Sequence, residues 1–268
     1  MLVPFLFAVL AQFPCDTRAF VESDHERIQT VCAGASVANG KVPCGKRCPA
    51  SSGLDAGQHF FDWELVRVTP GHYLSPASDD AVIATEGCES HSSNWGGSLL
   101  ATRRSGKWQL VWYEPGVETA QCHKVPIKSG REILVCAGEF GGRGNKYKQL
   151  YIEDLLRPAP SLMAGESHIL ELFDNTVTCG YSTPKSNTIN RAVIEKAEFG
   201  GNRMSVIFGL GERVLTETEI ELCEDGPDRP NAAYLPKLTQ HRMDFVFDGR
   251  TFVPTAESAA LAKRLGLH

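Results

Sequence analysis

The side chains best suited to chemistry sit close together in one stretch. Glu86-Gly87-Cys88-Glu89-Ser90-His91-Ser92-Ser93-Asn94-Trp95-Gly96-Gly97 brings carboxylates, an imidazole, an amide and an indole into a single polar loop. The indole of Trp95 offers a flat stacking face, and Glu89 with His91 has the makings of a hydrogen-bonded acid/base pair. A second loop, 138–147, again mixes glycines with Glu139, Phe140, Arg143, Lys146 and Tyr147. Glu86 and Glu139 occupy similar places after their strands. On one edge they would supply the paired carboxylates that glycoside hydrolysis uses. The plainer reading puts Trp95 against the core, spends the Ser and Asn groups on turn hydrogen bonds and leaves the acids capping strand ends in water. Glu86, Glu89, His91, Asn94, Trp95 and Glu139 are therefore candidate binding residues, and no residue is assigned as catalytic.

Motifs that would fix an enzyme class do not occur. Gly34-Ala35-Ser36-Val37-Ala38 lacks the last glycine of a nucleophile elbow, there is no His-Glu-x-x-His, and neither 141–144 nor 209–211 completes a phosphate-binding fingerprint. His72, His123, His168 and His241 are dispersed singly and read as structural or surface residues. No cofactor is implied.

Nine cysteines follow an apolar leader, 1–11, which reads as a signal peptide cut after Ala11. No Lys or Arg precedes Arg18, so only the α-amino group supplies the positive charge such leaders carry; a buried N-terminal strand is the alternative. Pro14 before Cys15 weighs against lipidation. The apolar run is too short to span a bilayer, and no other stretch is long enough. A secreted or periplasmic, oxidising location follows, where cysteines pair.

Residues 16–32 read as a helix capped by Asp16 and stopped by Gly34. On such a helix Cys15 and Cys32 would lie ~25 Å apart, beyond disulfide reach. If Cys15, Cys32, Cys44 and Cys48 pair among themselves, Cys15 and Cys32 must each cross to Cys44 or Cys48. A metal site at Cys44 and Cys48, with His25 and His59 nearby, is the weaker reading, because zinc sites space their cysteines more tightly. Cys88 and Cys122 are expected to bond, since they fall just past the two ends of a hairpin turning at Ser105-Gly106. In that hairpin Arg104 meets Lys107, Thr102 meets Gln109 and Leu100 meets Val111. Spacing does not pair Cys136, Cys179 and Cys223.

From residue 60 onward short strands alternate with turn residues in three comparable groups. Each opens with a strand pair, 63–68 with 81–85, 124–127 with 132–137, and 193–199 with 204–208. Each closes on a hairpin at Ser105-Gly106, Asp174-Asn175 or Asp248-Gly249, dipeptides suited to tight turns. Middle strands are expected at 149–154 and 219–223, and a short helix at 257–265. The fold class is all-β: about three antiparallel four-stranded units, arranged as a propeller, barrel or sandwich, with an N-terminal and a short C-terminal helix. The organisation read from this is a signal peptide at 1–11, a disulfide-linked helical cap at 12–59 and a β-rich repeat domain at 60–268.

Composition is that of an ordinary globular protein, 42% hydrophobic and 22% charged, and the net charge of -5 argues against a nucleic-acid partner. The resulting expectation is an exported, disulfide-stabilised β-rich module that binds a small molecule, glycan or protein. The alternative is a secreted hydrolase acting on an envelope or environmental polymer through Glu86, Glu89, Glu139 and His91.

Overall fold

The computed structural model describes residues 13–45, 63–88, 96–142, 145–156, 168–179, 187–225 and 230–267. Among the described residues thirteen strands form three antiparallel sheets. The first is β1 (Val42–Gly45), β2 (Trp63–Gly71), β3 (Asp80–Glu86), β4 (Gly97–Arg104) and β5 (Lys107–Pro115) in sequence order. The second runs β6 (Cys122–Pro126), β7 (Glu132–Gly142), β8 (Asn145–Glu153) and β9 (His168–Asp174). The third runs β10 (Thr188–Gly200), β11 (Arg203–Val214), β12 (Thr239–Phe247) and β13 (Phe252–Pro254). The three antiparallel units expected from the strand pattern are thus present, and within each sheet every strand lies beside its neighbour in sequence. Among the described residues no helix is long and apolar enough to cross a membrane.

The chain divides into two compact units. One comprises Cys15–Gly138 and Tyr151–His168, the other Met1–Pro14, Glu139–Leu150 and Ile169–His268. The division passes through β7, β8 and β9.

In the first unit, Phe20 and Ile28 pack with Leu65, Ile83, Leu99 and Trp108 of the first sheet. The expected helix over 16–32 is shorter than its sequence suggests. Only a 3₁₀ turn, Glu22–Asp24, and α1 (His25–Val31) are helical. Residues 16–18 run extended because other elements claim their backbone: Asp16 N–H donates to Cys122 O at 2.8 Å, and Arg18 exchanges both its backbone hydrogen bonds with Val68. The Asp24 carboxylate, which has no side-chain exposure, accepts from Arg18 at 2.6 and 2.8 Å, from Arg27 at 2.6 Å and from Val21 N–H at 3.0 Å. Asp80 organises the β2–β3 connection in the same way. Its Oδ2 accepts from Tyr73 and Leu74 N–H at 2.8 Å and from Ser78 Oγ at 2.5 Å, while Oδ1 accepts from Thr102 Oγ1 at 2.6 Å.

The β4–β5 hairpin turns at Ser105-Gly106, with φ of 49° and 78°, as a two-residue primed turn demands. Arg104 faces Lys107 and Thr102 faces Gln109 as expected. A bulge at Leu100/Ala101 then shifts the register, so Leu100 meets Trp112 in place of Val111.

Of the other two expected hairpins, that at Asp174-Asn175 is corrected, and that at Asp248-Gly249 forms between β12 and β13 with a longer loop. After β9 the chain enters a 3₁₀ turn, Thr176–Thr178. Asp174 accepts from Thr176 N–H at 2.9 Å, and Asn175 bonds Asn190 N–H and Thr188 O of β10, so these two side chains tie down a crossover where a hairpin was expected. At Asp248-Gly249 the loop has four residues. Phe247 faces Phe252, and Asp248 Oδ1 accepts from the N–H groups of Arg250 and Thr251 at 2.8 and 2.9 Å. The strand expected at 219–223 is helical, α2 (Glu217–Asp225). Thr216 and Glu219 cap it reciprocally: Glu219 N–H donates to Thr216 Oγ1 at 3.3 Å, and Thr216 N–H donates to Glu219 Oε2 at 2.9 Å. A last helix, α3 (Ala256–Leu265), is capped by Thr255, whose Oγ1 accepts from Ser258 N–H.

Three disulfides have both halves among the described residues. They join Cys32 to Cys44, Cys122 to Cys136 and Cys179 to Cys223. The first is one of the crossings that helix geometry left open. The second corrects the expected Cys88–Cys122 bond: Cys122 and Cys136 face each other in register on β6 and β7. Cys88 is also disulfide-bonded, with a different partner. Cys15, expected to pair, is an exposed free thiol, and Cys48 lies outside the described residues. In the second unit the Cys179–Cys223 bond is buried with Ile189 and Leu215, fastening α2 to the 3₁₀ turn that follows β9.

Candidate functional site

Of the six candidate binding residues, Glu89, His91, Asn94 and Trp95 lie outside the described residues. The loop that carries them is anchored at both ends. Gly87 and Cys88 leave β3 with φ of 84° and 54°, Tyr113 Oη donates to Cys88 O at 2.6 Å, and Gly96 enters β4 with φ of 84°. A Cβ on Gly96 would stand 1.9 Å from Thr85 O, so only glycine brings the chain back this close.

Glu86 and Glu139 are held by lysines. Lys41 Nζ lies 3.0 Å from Glu86 Oε2 and 2.6 Å from Glu64 Oε1. Burial lowers the affinity of Lys41 for its proton, but the two carboxylates outweigh it and leave the ammonium more basic than an ordinary lysine. Glu139 pairs with both Lys146 and Lys148. The two acids belong to different units. Each is an ion-paired carboxylate, engaged by cations of its own unit.

Folding also assembles groups that are far apart in sequence. His123 Nδ1 lies 2.8 Å from Asp16 Oδ2, the same oxygen that accepts from Lys124 N–H at 2.8 Å. The nearby Thr17 and Thr69 hydroxyls bond each other at 2.8 Å, and Thr17 Oγ1 accepts from Cys122 N–H. This carboxylate–imidazole pair orients the ring and anchors the N-terminal segment to β6. Elsewhere in this unit Tyr151 is fully buried, donates to the backbone oxygen of Glu118 and lies in the field of both Glu118 and Glu153. Although Glu118 as a residue keeps some exposure, burial pushes its carboxyl up to about 7.

In the second unit a cavity of about 490 Å³ opens on the polar face of the third sheet, beside the start of α3. Strand alternation builds it: Arg203 and Ser205 project from one face of β11, Arg242, Asp244 and Val246 from the same face of β12, with Ser205 opposite Asp244 and Arg203 opposite Val246. Met204 and Phe245, the intervening residues, are buried in the core behind. Thr255, Ala256 and Glu257 close one side. Their position is fixed by Asp244, whose backbone N–H donates to Ser258 Oγ at 2.7 Å and whose carbonyl accepts from Thr255 N–H at 2.9 Å.

Asp244 is the centre of this arrangement. Its carboxylate accepts from the Ser205 hydroxyl and from Arg242 Nε at 3.1 Å, while Arg242 Nη2 also donates to Ser205 Oγ at 2.9 Å. The Ser205 hydrogen bond first, then Arg242 and the field of Arg203, hold the carboxyl below its ordinary range. The cavity therefore carries fixed charge of both signs at neutral pH, a recognition surface for a polar ligand. None of its residues was singled out in the sequence. Arg203, Ser205, Arg242 and Asp244 converge only because β11 and β12 pair in this register, and period-two alternation of polar residues in 203–207 and 242–246 was the one available signal. No family model, no curated protein and no solved structure matches the chain.

Proposed function

We propose that this chain is an exported, disulfide-stabilised β module that binds a small polar molecule without transforming it. The observation that carries the proposal is the cavity on the third sheet, in which Arg242, Asp244 and Ser205 hold one another in place across β11 and β12. Such preorganisation suits recognition, because little side-chain freedom is lost when a ligand docks. The disulfides support an oxidising destination, as does the apolar leader at 1–11. The hydrolase alternative gains no support from Glu86 and Glu139, each engaged by lysines in a separate unit. A thermal-shift screen of the oxidised protein against polar metabolites and saccharides tests the reading, followed by mass analysis of each mixture. A saturable rise in melting temperature with the ligand recovered intact is the expected result, and release of a product overturns it.

A further inference from the structure

The cavity on the third sheet contains four charged side chains: Arg203, Arg242, Asp244 and Glu257. Two of them satisfy each other. Arg242 is committed to Asp244 and to Ser205, and Ser205 both donates to Asp244 and accepts from Arg242. Thr255 is likewise occupied, accepting from Ser258 N–H at 3.3 Å and bonding Ser258 Oγ at 3.0 Å. Arg203 and Glu257 remain. Both are exposed, and among the described residues neither makes an ion pair or a side-chain hydrogen bond. The cavity thus offers one guanidinium and one carboxylate without a hydrogen-bonded partner among the described residues, on different elements, β11 and the first turn of α3.

We infer that the cavity takes a zwitterionic ligand of the amino-acid or short-peptide type, with its carboxylate on Arg203 and its ammonium on Glu257. This rests on the reading of the chain as a binding module and names the ligand class of that same site. A guanidinium presents parallel donors that match a carboxylate, and a carboxylate accepts two or more ammonium hydrogen bonds. An anion alone would leave Glu257 facing it without compensation, and a cation alone would do the same to Arg203, so a molecule carrying both charges fits where either singly charged one does not. The Arg242–Asp244–Ser205 group lines the same cavity and is already paired within itself. A volume of about 490 Å³ accommodates a free amino acid or a short peptide, and the two sources share this chemistry.

Isothermal titration of the oxidised full-length protein with pooled α-amino acids and, separately, pooled di- and tripeptides decides which source binds. The same pools with acetylated amines or amidated carboxyls test the two charges. Binding of one free pool, weakened tenfold or more by either block, is the expected result. Arg203→Gln should bind free-acid and amidated forms with equal weakness, and Glu257→Gln should do the same for free and acetylated amines. Both residues are exposed, and a melting temperature close to wild type confirms that each variant is folded. Blocked ligands that bind as well as free ones, or variants that bind like wild type, overturn the charge assignment while leaving a binding module in place. If neither free pool binds, the zwitterion inference falls, and the saccharide and metabolite screen then decides separately whether the broader reading falls with it.

Discussion

Cys122 and Cys136 stand directly opposite each other on β6 and β7, their Cα atoms 4.1 Å apart and their sulfurs bonded. The bond lies beside the strand position at which Asp16 and Thr17 dock, since Cys122 O accepts from Asp16 N–H and Cys122 N–H donates to Thr17 Oγ1. Non-reducing peptide mapping should recover Cys32 with Cys44, Cys122 with Cys136 and Cys179 with Cys223, and leave Cys15 alkylated as a free thiol. Loop length orders their contributions. The Cys179–Cys223 bond spans 44 residues and the Cys32–Cys44 bond 12. Replacing each pair by alanine should therefore cost about 4 and about 3 kcal/mol respectively, measured by urea unfolding.

Asp80→Ala should be among the most damaging single changes in the first unit. It strands the Tyr73 and Leu74 N–H groups and the Thr102 hydroxyl, all of which donate to the buried carboxylate. A loss on the order of 3–5 kcal/mol in urea unfolding is expected. A loss below about 1 kcal/mol would mean that water reaches these groups.

Gly96→Ala and Gly106→Ala separate two uses of glycine. Both positions have positive φ, 84° and 78°. A Cβ at Gly106 meets open space, whereas one at Gly96 meets Thr85 O at 1.9 Å. Gly106→Ala should cost about 1–2 kcal/mol for backbone strain alone. Gly96→Ala should cost about 3 kcal/mol or more, because strand β3 or β4 must move. Equal melting temperatures for the two variants would contradict this.

Two carboxyls give stability opposite dependences on pH. Burial pulls the Asp24 carboxyl upward, but hydrogen bonds from Arg18, Val21 and Arg27 outweigh it and leave it below its ordinary 3.8. Its contribution is present above that value and is lost as pH falls through the depressed one. Glu118 works the other way. The folded chain keeps its proton up to about 7, while the unfolded chain releases it near 4.5. The folded form binds more protons within that window, so raising pH across it removes stability. Glu118→Gln should match wild type near pH 4 and exceed it above pH 7 by on the order of 1–3 kcal/mol, the residue's remaining exposure trimming the full value. Urea midpoints from pH 4 to 8 measure the difference, and parallel curves would contradict it.

The three-sheet architecture was legible because strand alternation and Ser105-Gly106 are local signals. What failed was long-range or side-chain-encoded. The Thr216-x-x-Glu219 capping box was present in the sequence, yet the apolar Ile220 and Cys223 around it also suit a strand, and the helix hydrogen bonds decided the matter. Asp174-Asn175 looks like a turn, but both side chains bond β10 at positions distant in sequence. Cys88 and Cys122 were matched through a hairpin register that the Leu100/Ala101 bulge breaks, and a bulge leaves no reliable mark in one sequence. The Asp16–His123 pair and the Arg203–Asp244 cavity depend on register between segments, so neither was visible in residue spacing.

The most direct measurement is an amide-resolved NMR titration of the oxidised, isotope-labelled protein with the pooled polar ligands. Shifts that saturate together at Ser205, Asp244, Ala256 and Glu257, with ligand signals broadened but chemically unchanged, are the result expected for a binding module with its site on the third sheet. Saturating shifts confined to other residues, or conversion of the ligand into new signals, would contradict it.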